Sequence, residues 1–150
     1  MNRKARHLLG AMLAVLCLWG PGLAAAQEHG AVAGILNQGF ELLEQGKYDQ
    51  AQKVYEGLLQ KDPGHPLALN NLAAIKAKNG KYDQALQDLK QALVRAKGCR
   101  VLLNRVCDLN GVCAAYRLSE GQFGSEDLEA VVKSNIIMVE MARASRQGPK

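Results

Sequence analysis

Few residues of this chain have the types and spacing that do chemistry. Its four cysteines, Cys17, Cys99, Cys107 and Cys113, form no Cys-x-x-Cys and no Cys-x-x-Cys-His, so thioredoxin-like exchange and covalent haem attachment lack their local signatures. The histidines outside the first residues are His29 and His65, the latter in Gly64-His65-Pro66. Without paired ligands, both read as solvated residues and not as metal ligands. Gly46-Lys47 and Gly80-Lys81 resemble the end of a phosphate loop, but Tyr48 and Tyr82 stand where Ser or Thr is needed. The acid pairs Glu41/Glu44 and Asp49/Asp83 read as solvated helix faces and turns. The expectation is no catalytic set, no cofactor and no metal: not an enzyme.

The elements around these residues begin with an export-type leader. Met1 to His7 carry Arg3, Lys4 and Arg6 and no acid, and they run into the apolar stretch Leu8 to Leu18. Trp19-Gly20-Pro21-Gly22 breaks that stretch, and Leu23-Ala24-Ala25-Ala26 supplies the small residues a signal peptidase reads. Residues 1–26 are therefore expected to be a cleaved signal, with Gln27 opening the mature chain and a periplasmic or secreted destination. The apolar run is short for a membrane span, so membrane contact is expected only through an uncleaved signal. Cys17 lies inside the apolar core, away from the position lipidation needs. Removing the leader leaves sixteen basic against fourteen acidic residues, so the net charge falls from +5 to +2. A nucleic-acid partner loses its argument. What is left is one domain's worth of chain.

Self-similarity organises that domain. Gly46-Lys47-Tyr48-Asp49-Gln50-Ala51 recurs letter for letter as Gly80-Lys81-Tyr82-Asp83-Gln84-Ala85, an offset of 34 residues. Ala51, Val54, Tyr55, Leu58 and Leu59 form one helical apolar stripe, and Ala85, Leu86, Leu89, Ala92 and Leu93 form its counterpart. Gly46 and Gly80 suit left-handed turns after a first helix. Asp62-Pro63-Gly64 stops the second helix, and Pro66 suits the opening turn of the next. Helices are expected near 31–45, 48–61, 66–79 and 82–97.

With Ile35, Gly39 and Leu42 before the first hexapeptide, Tyr55, Leu58 and Pro63 after it, and Leu69, Leu72, Ala73, Leu89 and Ala92 around the second, the chain resembles the tetratricopeptide repeat family. The resemblance implies an all-α antiparallel helix-hairpin array with two repeats at about 32–65 and 66–98. It also implies a scaffold or adaptor that holds another protein, a helix or apolar peptide, in a concave groove lined by the first helix of each pair. Carried onto this sequence, the lining is Leu36, Asn37, Phe40, Leu43 and Glu44, then Asn70, Asn71, Ala74, Ala77 and Lys78. The lysines that complete the family's carboxylate clamp are missing, with Leu36 and Phe40 in the place of basic and amide residues.

Beyond Gly98 two readings stand for residues 99–124, a cysteine-containing insertion or a degenerate third repeat. In one, Val101 to Cys107 and Val112 to Leu118 are strands of a hairpin around Asn110-Gly111. In the other, Leu109 to Glu120 is the first helix of the third repeat. The hairpin would set Cys107 near Cys113, within reach of a disulfide, whereas a helix would point them apart. Cys99 is an alternative partner for either, and an oxidising compartment leaves one thiol of three over. Residues 125–145 are expected to cap the array, with Ser125-Glu126-Asp127 as N-cap and acidic first turn and Leu128, Val131, Val132, Ile136 and Val139 facing inward. Two repeats are few for an array, so self-association is a further expectation, as is a thiol-active assembly role for one of the cysteines.

Overall fold

The computed structural model describes residues 21–103, 116–117 and 126–146. The chain divides into two compact units, Met1–Val32 and Ala33–Lys150. Of the first, the described part is the opening of helix α1, Pro21–Glu44. The second carries α2 (Tyr48–Lys61), α3 (Pro66–Lys78) and α4 (Tyr82–Ala96). There follow the short strands β1 (Arg100–Leu103), β2 (Tyr116–Arg117) and β3 (Glu126–Asp127), and then α5 (Leu128–Arg146). The helices pack as hairpins, so the described chain is a helix-hairpin array.

Helix α1 starts at Pro21, ten residues before the expected 31. Proline's fixed φ and missing N–H suit the first helical position, where that N–H has no partner in any case; the apolar run before it lies outside the described residues. The small-residue run Leu23–Ala26 is helical here.

The identical hexapeptides make identical turns. Gly46 has φ +70° and Gly80 φ +74°, left-handed values that other L residues reach only at a cost. Gly46 N–H donates to the Leu43 carbonyl at 3.0 Å and Lys47 N–H to Leu42 at 2.8 Å. Gly80 N–H donates to Ala77 at 2.9 Å and Lys81 N–H to Lys76 at 2.9 Å. Both turns are Schellman caps, which reverse the chain and satisfy the last carbonyls of α1 and α3. The next helix begins immediately, with Asp49 or Asp83 in its first turn, where the helix dipole favours an acid.

The stripes read from the sequence mark the buried faces, with Val54, Leu59 and Leu93 half-buried at their edges. Ala51, Tyr55 and Leu58 of α2 and Tyr82, Ala85, Leu86, Leu89, Ala92 and Ala96 of α4 are buried. Helix α3 lies between these layers, and every residue from Pro66 to Ile75 is buried. The loop entering α3 is tied to α4. Arg95 pairs with Asp62 at 2.6 Å, and Gln91 Nε2 donates to the Pro63 carbonyl at 3.0 Å. A second ion pair, Lys76 with Asp88, joins α3 to α4.

After α4, Gly98 at φ +77° turns the chain into β1. That strand pairs antiparallel with β2 (Leu102↔Arg117, Leu103↔Tyr116) and with β3 (Arg100↔Asp127, Val101↔Glu126), in the order β2-β1-β3. Tyr116–Arg117 is thus extended backbone, which corrects the helical reading of Leu109 to Glu120 at these two residues; strand pairing to β1 supplies their hydrogen bonds. The intended turn, Asp108 to Gly111, lies outside the described residues, as do Cys107 and Cys113. The cap of α5 also differs from expectation. Asp127 Oδ1 accepts the Glu129 N–H at 2.9 Å, and Ser125 lies outside the described residues.

Helix α5 packs mainly on α4, touches α3, and buries Leu128, Val132, Asn135 and Val139. Val131 and Ile136, expected inward, are only half-buried. The inward face runs through Asn135, the one polar residue on it.

Candidate functional site

The row of first-helix residues that the repeat resemblance assigns to a groove is mostly interior. Leu36, Phe40 and Leu43 of α1 and Asn70, Asn71, Ala74 and Ala77 of α3 are all buried. Glu44 is exposed, and Asn37 and Lys78 are half-buried. In this arrangement only the last three offer surface to a partner. Phe40 and Leu43 are core anchors, which an i, i+3 apolar pair on a helix serves as readily as a binding role.

A chain of buried amides crosses this row. Asn135 Nδ2 of α5 donates to Asn70 Oδ1 at 2.9 Å, Asn70 Nδ2 donates to Asn71 Oδ1 at 3.3 Å, and Asn71 Nδ2 donates to Tyr55 Oη at 3.1 Å. Four helical-surface polar groups are thereby satisfied inside the core, where an unpaired one would cost about 1–3 kcal/mol. Burial pushes the Tyr55 phenol far above its ordinary pKa, because the phenolate would be desolvated; the bond from Asn71 opposes this only in part. The Tyr55 ring in turn abuts Gly39 of α1. A Cβ built at Gly39 would lie 2.6 Å from Tyr55 Cζ, so only glycine admits the two helices at this separation.

Asn37 occupies in the first repeat the place Asn71 occupies in the second, 34 residues on. Its Oδ1 is buried and accepts no hydrogen bond. Replacing it with leucine removes an unsatisfied acceptor, so Asn37→Leu is expected to raise the urea midpoint, by about 1 kcal/mol of unfolding free energy. A lowered midpoint would show that the amide is satisfied in solution.

A second pair of contacts repeats along the array. Lys78 Nζ sits 4.5 Å from the centroid of the Tyr48 ring, and the Arg146 guanidinium 5.5 Å from that of Tyr82. Both are cation–π contacts in which the last turn of a helix stacks on the first tyrosine of the preceding one.

His65, expected as a solvated loop residue, caps α3 instead. Its Nδ1 accepts the Ala68 N–H at 3.3 Å, which requires the neutral ring. Burial pushes the imidazole below its usual value, aided by Arg95 and opposed by Asp62. A histidine depressed in the folded state takes up its proton more readily when unfolded. Its contribution to stability is therefore whole above about pH 6.5, the unfolded value, and is lost as pH falls below it toward the folded value. Thermal melts from pH 7 to pH 5 should show a loss of about 1 kcal/mol, the worth of an N-cap. Asn at position 65 accepts the same bond without titrating, so His65→Asn should flatten that segment. An unchanged slope would remove His65 as its source.

Cys99 carries a free, half-buried thiol whose Sγ donates to the Arg95 carbonyl at 3.3 Å. Among the described residues no group of three His, Cys, Asp or Glu side chains is arranged to hold a metal ion. No described helix is long and apolar enough to cross a membrane.

The geometry defines a helix-hairpin repeat array tied together through its interior. A model of the tetratricopeptide repeat family matches residues 42–101, a segment running from the end of α1 through α4 into β1. Over that segment the chain is similar to the tetratricopeptide repeat, whose members generally mediate protein–protein interaction. No solved structure matches the chain. The buried polar brace missed from sequence is Asn135; a lone amide four residues from Val139 on an apolar stripe was the signal, since such a residue needs a buried partner.

Proposed function

We propose that this protein is an exported scaffold or adaptor that holds another protein within a bacterial envelope assembly. The observation that carries the reading is the hairpin array itself. Its turns and inter-helix bonds build a rigid support, and rigid arrays of this kind present surface to partners. The basic leader, apolar run and small residues ending at Ala26 supply the export half of the reading. Contact with the partner falls to the accessible members of the first-helix row, Asn37, Glu44 and Lys78.

The test of export is fractionation and intact mass of the chain recovered from a bacterial host. The expected species is periplasmic or secreted and begins at Gln27, which is the residue after the small-residue run. A cytosolic protein of full-length mass would overturn the envelope assignment and leave only an interaction scaffold.

A further inference from the structure

Helix α5 does more than close the face of α4. Lys78 stacks on Tyr48 as Arg146 stacks on Tyr82, and Lys78 and Arg146 are 68 residues apart, one 34-residue period plus an insertion of the same length. Helix α5 thus stands toward α4 as α3 stands toward α2, in the place of the first helix of a third repeat. Asn135 agrees, since it reaches Asn70 on α3, the preceding first helix.

In that register Ile137 corresponds to Leu69 and Met141 to Ala73. Leu69 and Ala73 are buried, and Gly39, one period earlier, lies against Tyr55 of its own second helix. Among the described residues no second helix follows α5, and Ile137 is 57% exposed and Met141 62%. Ala130, Ser134 and Ala144 are exposed on the same face, so the open stripe is Ala130, Ser134, Ile137, Met141 and Ala144.

We propose that a second copy of this chain covers that stripe, α5 packing antiparallel on α5 about a twofold axis at Ile137. The stripe is self-complementary under that operation. Ala130 faces Ala144, Ser134 faces Met141, and Ile137 faces its own copy, with small residues at both ends allowing close approach. Charge follows the same symmetry. Lys133 and Glu140 are exposed on one flank of the stripe, four residues before and three after Ile137. Like flanks meet in an antiparallel pair, so each Lys133 faces the other copy's Glu140, twice per dimer. Lys133 already pairs with Glu129 at 2.6 Å and, being 58% exposed, can bridge both acids. A parallel pair would set this flank against the opposite flank of the other copy, where neither Lys133–Glu140 pair forms.

The test is sedimentation equilibrium of the full chain, with no other protein present, up to about 100 μM, a range suited to an interface below the standard size. The wild type is expected to show a monomer–dimer equilibrium. Ile137→Glu should weaken it about tenfold or more while helical content and melting temperature stay unchanged. Glu140→Lys should also weaken it, because it sets lysine against lysine without touching the Lys133–Glu129 pair. Lys133→Glu combined with Glu140→Lys should restore it. A monomeric wild type overturns the proposal, including one whose stripe is covered only by a helix of another protein. So does a dimer indifferent to Ile137→Glu, or a double variant that fails to recover. Export and partner capture play no part in this measurement, so its failure is separate from failure of the adaptor reading.

Discussion

Replacing Tyr55 with alanine is expected to lower the unfolding free energy by about 3–5 kcal/mol, the range for removing a large buried aromatic ring. The side chain is fully buried, faces Gly39 across the α1–α2 contact, and ends the chain of amides through its hydroxyl. Alanine loses the ring's contacts, opens a cavity and strands Asn71 Nδ2 together. Since small domains hold about 5–15 kcal/mol in all, the variant should be close to unfolding at physiological temperature. Tyr55→Phe separates the contributions. It keeps the ring and loses only the acceptor, so it should cost about 1–3 kcal/mol. Urea unfolding of the three proteins checks this, and equal losses for Phe and Ala would show that the hydroxyl, not packing, dominates.

Asn70→Ala should be the next most damaging change, at about 2–4 kcal/mol. Asn70 Oδ1 accepts from Asn135 and its Nδ2 donates to Asn71, so alanine withdraws a partner from two buried amides at once. Because Asn135 and Asn70 lie on different helices 65 residues apart, the bond between them ties α5 to the array. A double-mutant cycle with Asn135→Ala should give a coupling of about 1 kcal/mol or more. Additive losses would mean that the two amides act separately and that apolar contacts with α4 alone hold α5.

Much of the fold was legible because the chain repeats itself. The glycine of each hexapeptide demands a left-handed turn, the tyrosine and aspartate start the next helix, and apolar spacing marks which face is buried. Those are local rules, and the ranges of α2, α3 and α4 follow from them to within a residue. The start of α1 was the harder boundary, because Pro21 signals a break to the apolar run before it and a helix start to the residues after it, and the expected start near 31 took no account of the proline. The position of α5 was illegible for another reason. No hexapeptide precedes it, and the register that places it among the first helices shows only when Arg146 is seen over Tyr82. The groove lining was assigned from what first helices do in longer arrays. Here Asn70 and Asn71 point into a core closed by α5, so the same positions became internal braces, and the amide at Asn135 acquired a purpose that its place on an apolar stripe only hinted at.

The claim that this array holds another protein through its first-helix row is tested most directly by photo-crosslinking in an exporting bacterial host. A photoreactive residue would be placed in turn at Glu44, at Lys78 and, as a control, at Val94, which is 81% exposed on the outer face of α4. The account predicts a discrete adduct with an envelope protein from positions 44 and 78 and none from 94. Adducts absent from all three, or the same adducts from all three, would contradict it.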